Sequence, residues 1–460
     1  MSEVMDYKID LDEFKSSFKF TDKGLTHKQG SRFKLLPYAA NEKTLVSEFS
    51  GVVGGFSRFI SDKEIKGYFN IDEFLEEVSE AVEYEGDNSR EAFKDIIKTM
   101  FIENNQLVDF DIKTLNYISS TNADEKIASF LYSVLFSDEL KSEALKHYDR
   151  NVNNILYKLV LKALPTLKDK KYSIGEYECY VPFVRELFIK DFKFLIQHED
   201  LYKDSLKRVL EYYYMFYVSQ LAIKLDKFEK ADLNEVEKVY YTLSWESTSK
   251  NRTAYRLGWQ LLKGKVNSLF SHAVALEILN TNDSEDQLGY VQLAEVYKGI
   301  NKEEIEENLK EAVDMYQEQI KDTIWDQFKP SSKVSEVNGF NEVYRLYDSL
   351  EYQFSGGTRK RAYEAYRNWY IKFVQENFGK RRGALGYNLN MTEDDIILIT
   401  KICINDNKKL KLNTLFEEFE KRGLFFDRDS SKKIVQLYEK LNLLEKKSDS
   451  GDAQYVRSVL

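Results

Sequence analysis

Only four prolines, Pro37, Pro165, Pro182 and Pro330, interrupt the 460 residues. A proline inside a helix costs about 3 kcal/mol through its missing N–H and its ring clash, so the long proline-free stretches are open to helices. Their apolar residues recur at three and four positions, the helical period. Such runs follow Asp62: FNIDEFLEEVSEAVEY at 69–84, REAFKDIIKTMFIENN at 90–105, EKIASFLYSVLFSDELKSEALKHY at 125–148 and NNILYKLVLKAL at 153–164. The stretch Asp204–Leu225 is apolar on most of its circumference. It predicts a helix buried in a bundle rather than a membrane span, because Lys, Glu and Gln interrupt it. Asn301–Phe328 reads as a long amphipathic helix stopped by Pro330, and SSKVSEVNG at 331–339 as an internal linker. NEVYRLYDSLEYQF and AYEAYRNWYIKFVQENFGKRR supply two further helical runs, the second ending at Gly379.

The first sixty residues have a different texture. FKF at Phe18–Phe20, RFKLLPY at Arg32–Tyr38 and TLVSEF at Thr44–Phe49, punctuated by glycines, predict a mixed, partly β region. FSGVVGGFSR, Phe49–Arg58, lacks the lysine and Ser/Thr of a phosphate-binding loop and does not fit the dinucleotide fingerprint. A turn between strands is the expectation there.

Residues 391–460 hold the most complete supersecondary pattern. Thr392 before Glu393, Asp394 and Asp395 reads as a helix start, with Ile396, Ile397, Ile399, Ile402 and Cys403 as the buried stripe. LNTLFEEFEKRG reads as a second helix ending at Gly423. DSSKKIVQLYEKLNLL, started by Asp429 or Ser430, is a third, and short extended runs flank the turn SDSGD. Three helices and a hairpin predict a winged helix-turn-helix. The expected fold is therefore mainly α and multi-domain. Residues 1–60 form a small mixed region, 61–330 a helical body of one or two subdomains, 331–390 a linker and basic helical segment, and 391–460 the winged helix-like domain.

A composition of 43% hydrophobic and 31% charged residues excludes a long disordered chain, and a net charge of −10 excludes a basic nucleic-acid coat. The charge is uneven, however. Residues 359–382 carry eight basic side chains against Glu364 and Glu376, whereas the last seventy residues balance thirteen of each sign. SGGTRKR and GKRRG within this segment are an electrostatic footprint for phosphate, since guanidinium groups grip phosphate oxygens in pairs. A solvated basic face and a dock for an acidic partner are the alternatives. Tyr363, Tyr366, Trp369 and Tyr370 interleave with the cations, and helical spacing places at least half of them in the core.

Chemistry-bearing motifs are scarce. His27, His147, His198 and His272 are isolated, and no zinc or HExxH pattern occurs. The acidic runs follow amphipathic helices, so neither a metal nor a cofactor is expected. Cys179 and Cys403 lie far apart, the start MSEVMDYKIDLDEF lacks a basic–apolar leader, and no run of 18 apolar residues occurs. A cytoplasmic location without a membrane span is the expectation.

The segments SGGTRKRAYEAYRNWY, GKRRGALGYNLNMTEDDIILITKICI, LNTLFEEFEKRGLFFDRDS and IVQLYEKLNLLEKKSDSGDAQYV closely resemble the DptG, or DndG, family of bacterial phosphorothioation-dependent restriction systems. The resemblance spans about the last 110 residues. It implies a part in anti-phage restriction, in which DNA lacking backbone sulfur is attacked, alongside a DptF-like ATPase and a DptH-like helicase or translocase. It carries over no catalytic residue. The expected role is a non-catalytic subunit that holds double-stranded DNA. Arg359, Lys360, Arg361, Arg367, Lys380, Arg381 and Arg382 would contact phosphates. Ser430, Ser431, Lys432, Lys433, Gln436 and Lys440 would face a groove, with Lys446, Lys447 and Arg457 on the wing. A purely protein-binding adaptor is the alternative, and a cryptic metal-dependent nuclease a third reading.

Overall fold

The apolar run over 204–225 lies within the 29-residue helix Glu199–Lys227 of the computed structural model, and every residue from Val209 to Leu225 is buried. Helices Ser50–Ser61, Pro182–Gln197, Trp259–Asn267 and Leu269–Leu279 pack around it. Each large apolar side chain so enclosed stabilises the fold by roughly 1.5–3 kcal/mol. Its polar groups are not abandoned: Tyr213 donates to Asp191 Oδ2 at 2.6 Å, and the Tyr217 hydroxyl accepts from the Tyr180 N–H at 2.9 Å. The structure describes residues 7–37, 46, 48–65, 69–282, 286–356, 359–446 and 454–459. Among them the chain is mainly helical and multi-domain, with small β elements. One large core runs from Tyr7 to Val456. A smaller one, around Phe74, Ile97, Phe101 and Val160, joins helices Ile71–Glu80, Ser89–Phe101 and Ile155–Ala163. No helix among the described residues is long and apolar enough to cross a membrane.

Several local expectations are corrected. FSGVVGGFSR is not a turn between strands but lies in the buried helix Ser50–Ser61. Its glycines face packed neighbours: a Cβ on Gly51 would lie 2.3 Å from Asp124, and one on Gly54 would lie 2.2 Å from the Ile118 carbonyl oxygen. Glycine serves here to bring two backbones together. Around it, the described part of the first sixty residues contains helix Leu11–Ser17 and only an isolated Thr21–Gly24 bridge, not strands. The extended segments there find side chains instead of partner strands. Ser31, Arg32 and Phe33 donate their N–H groups to the buried Glu277 carboxylate at 3.0–3.1 Å. Ile9 exchanges backbone hydrogen bonds with the Asn308 amide. Residues 38, 44, 45 and 47 of the predicted extended runs lie outside the described residues.

The run at 125–148 is two helices, Asn122–Leu135 and Asp138–Tyr148, because Ser137 caps the second. The amphipathic helix Lys302–Gln319 ends well before Pro330, and a 3-10 turn at Trp325–Gln327 follows it. The segment 331–339 lies against the body, with the Lys333 ammonium 4.4 Å from the Phe228 ring centroid.

At the C-terminal end, helices Glu393–Ile404, Leu412–Lys421 and Arg428–Lys440 surround an antiparallel sheet. Its strand order is Leu444–Lys446, Gln454–Arg457, Lys409–Lys411, the last strand being an addition to the expected hairpin. Thr392 and Asp395 form a capping box. Asp427, rather than Asp429 or Ser430, caps the third helix. This unit is sewn to the body by a second sheet, ordered Gly379–Arg381, Tyr387–Met391, Tyr240–Leu243, Phe425–Phe426. The first pair is antiparallel and the other two are parallel.

Candidate nucleic-acid interface

Helix Arg428–Lys440 buries Ser430, Ile434, Leu437 and Tyr438. Its amphipathic period then turns Arg428, Lys432, Lys433, Gln436 and Lys440 to solvent, with Asp429 and Glu439 among them. Lys433 donates to Gln436 at 3.1 Å, and Lys440 lies 3.8 Å from Glu393. Ser431 is half-buried. Ser430, expected to face a groove, is fully buried: its hydroxyl donates to Glu246 at 2.7 Å and accepts from Arg252 at 2.8 Å. On the small sheet, Lys446 pairs with Glu439 at 2.9 Å and the exposed Arg457 reaches Glu445 at 3.5 Å. Lys447 lies outside the described residues. Such exposed pairs contribute about 0–1 kcal/mol, so their cations are readily redirected to phosphate.

The cluster 359–382 divides into internal and external groups. Arg382 spends its guanidinium on the Glu246 and Leu243 carbonyl oxygens, both at 2.7 Å, and burial lowers its pKa. Lys380 donates to the Ser244 carbonyl oxygen. Arg367 lies over the Tyr363 ring and pairs with Glu364 at 3.3 Å, a carboxylate it shares with Lys360 at 3.8 Å. Arg359 is held by Asp322, with one hydrogen bond at 2.8 Å, and by Gln353 at 2.7 Å. Arg361 and Arg381 are exposed and make no ion pair with a described residue. Tyr363, Tyr366, Trp369 and Tyr370 are all buried, so no aromatic platform accompanies the cations.

Arg382 and Ser430 both turn to Glu246, the half-buried Arg382 to its carbonyl oxygen and the fully buried Ser430 to its carboxylate. Arg252, Glu246 and Asp427 link the 379–391 hairpin to the start of helix Arg428–Lys440, with Arg252 donating to Asp427 Oδ2 at 3.0 Å. The exposed sites are Lys360, Arg361, Arg381, the 428–440 face and, on the small sheet, Lys446 and Arg457. Arg428 joins that face although sequence reasoning misses it, because a cap at 429–430 leaves it before the helix; its charge is visible in DRDSSKK. Among the described residues no group of three or more His, Cys, Asp or Glu is placed to hold a metal ion. His27, His198 and His272 instead meet Tyr316 at 2.8 Å, Asp406 at 3.1 Å and Tyr290 at 3.1 Å. No protein-family model matches the chain, and no curated protein matches it in sequence.

Proposed function

We propose that this chain is a non-catalytic, DNA-holding and scaffolding subunit of a phosphorothioation-dependent restriction complex in the cytoplasm. The observation that carries the reading is the solvent face of helix Arg428–Lys440, with Arg428, Lys432, Lys433, Gln436 and Lys440 in one stripe. The order helix, strand, helix, short strand, helix, strand, strand over Glu393–Arg457, with the short strand Phe425–Phe426 paired away to Tyr240–Leu243, supports a winged helix-turn-helix reading in which Arg428–Lys440 would be the helix that enters the major groove. Arg361 and Arg381 add two cations for phosphate. The C-terminal segments that resemble the DptG family supply the system, and with it DptF-like and DptH-like partners carrying nucleotide hydrolysis.

The test is salt-titrated binding of the full chain to matched phosphorothioated and unmodified duplexes. Binding that tightens steeply at low salt and weakens in the variant K432E/K433E is expected. Each phosphate that a variant no longer neutralises lowers the log–log salt slope by about 0.9. No binding by the full chain would leave the adaptor reading. A specific observation favours that second reading: Ile96, Met100 and Ile155 on the smaller unit are 54%, 50% and 84% exposed, an apolar set suited to a partner subunit.

A further inference from the structure

Helix Glu199–Lys227 ends on Phe228, whose φ of 52° and ψ of −128° are unfavourable for a bulky side chain. Strain of this kind persists where the surroundings hold it in place. Here the ring completes an aromatic cage. Tyr344 and Tyr347 on helix Phe340–Gly356 stand nearly perpendicular to Phe228, at 83° and 87°, with centroids 5.1 and 5.0 Å away. The Lys333 ammonium lies 4.4 Å from the Phe228 centroid, 5.4 Å from that of Tyr347 and 5.9 Å from that of Tyr344. A cation is attracted to a ring face within about 6 Å of its centroid, so all three rings hold it. Negative charge adjoins the cage, because the Tyr344 hydroxyl donates to the Glu229 carboxylate, 2.7 and 2.8 Å from its two oxygens. The exposed Lys230, 3.8 Å from Glu229 and 5.8 Å from the Tyr344 centroid, marks the solvent edge. His272 stacks on Tyr347, and burial holds its imidazole well below its ordinary pKa, so it adds no charge.

The three rings are buried, whereas Lys333, which lies over them, is exposed together with its neighbours from Lys329 to Val334. Lys333 makes no ion pair with a described residue, so withdrawing it breaks no salt bridge there. A primary ammonium is a strongly hydrated point charge and gives up much on leaving water. Methylation weakens that hydration and adds methyl contact with the ring faces, which is why aromatic cages take quaternary ammonium groups. We infer that Phe228, Tyr344 and Tyr347 form a binding site for a trimethylated ammonium, and that Lys333 is its built-in occupant, displaced when the ligand enters. Lys333 itself reaches the rings on a four-carbon stem, so a methylated lysine side chain fits by the same route as a small quaternary ammonium. Being tethered, Lys333 competes at a high effective concentration. None of these residues belongs to the proposed DNA-contacting set, so the cage stands apart from duplex binding.

Titration calorimetry of the full chain and its K333A variant with choline, with the acetylated amide of Nε-trimethyllysine and with neohexanol, the uncharged carbon isostere of choline, tests the site. K333A should bind both cations saturably. The parent should bind them at least about tenfold more weakly, a difference of ~1.4 kcal/mol, because its own lysine must first leave. Neohexanol should bind K333A weaker than choline by a similar factor, and so should choline once Y347L is added to K333A, with folding checked by thermal melting. The tighter of the two cations names the source, a polypeptide side chain or a small molecule. No saturable cation binding by K333A, equal affinity for neohexanol and choline, equal binding by parent and K333A, or indifference to Y347L in a folded variant would overturn it.

Discussion

Arg422 and Asp191, 231 residues apart, meet as a two-point ion pair inside the protein: Nη2 donates to Oδ1 at 2.6 Å and Nε to Oδ2 at 2.8 Å. Their side chains are 0% and 1% exposed. Tyr213 also donates to Asp191, Glu418 accepts from Arg422 at 2.8 Å, and Tyr212 donates to the Arg422 carbonyl oxygen. The pair fastens the C-terminal unit to the Pro182–Gln197 helix and its long neighbour. Removing one partner strands the other charge, so Arg422→Met should cost about 3–5 kcal/mol. Adding Asp191→Asn should recover part of that loss. Urea unfolding of the two variants and the double variant measures the coupling, and strict additivity would refute it.

Packing of helix Ser50–Ser61 gives a second expectation. Gly54→Ala places a Cβ against the Ile118 backbone and should destabilise by at least about 1–3 kcal/mol, the range for overpacking. Gly264 lies in helix Trp259–Asn267 with nothing within 4 Å of its would-be Cβ. Gly264→Ala should therefore stabilise by about 0.5–1 kcal/mol. Opposite shifts in the urea midpoint would verify both, and shifts of one sign would not.

Glu418 makes acid stability testable. Burial alone would raise its pKa, but hydrogen bonds from Lys421 and Arg422 and the charges of Arg422 and Lys190 hold it down to about 2. A carboxylate lowered in the folded state stabilises it above the unfolded pKa, and that contribution vanishes as pH falls from about 4.5 to about 2. Glu418→Gln should be less stable than the parent at neutral pH, the gap closing across that window. Denaturant titrations at stepped pH measure it, and a gap independent of pH would contradict the assignment.

Neighbouring arginines 381 and 382 should behave oppositely. Arg381→Ala removes an exposed cation and should weaken duplex binding broadly, with a shallower salt slope and little change in stability. Arg382→Ala removes the donors that satisfy two carbonyl oxygens. It should cost about 1–3 kcal/mol of stability instead. Paired melting and salt-titration curves distinguish the two, and identical behaviour would show that burial does not separate their roles.

Local signals account for much of the architecture. Periodicity finds the helix at 71–80, the buried core of Glu199–Lys227 and the C-terminal helices, because an amphipathic stripe is a property of neighbouring residues. Thr392 and Asp395 can be read as a cap for the same reason: both partners lie within one turn. Glycine content misleads at 49–58, where Gly51, Gly54 and Gly55 answer to Asp124, Ile118 and Ala128 on segments far along the chain.

The candidate surface shows the same division. Charge density along the sequence by itself determined that cations gather at 359–382 and along 428–440. Only the tertiary structure decided which of them face water. Arg382 and Ser430 turn from solvent because carbonyl oxygens and Glu246, contributed by residues 243–246, wait beside them, whereas Arg361, Arg381 and Lys432 meet no such partner among the described residues. A desolvated polar group must find its hydrogen bond wherever the fold supplies one, and that supply depends on residues more than a hundred positions away.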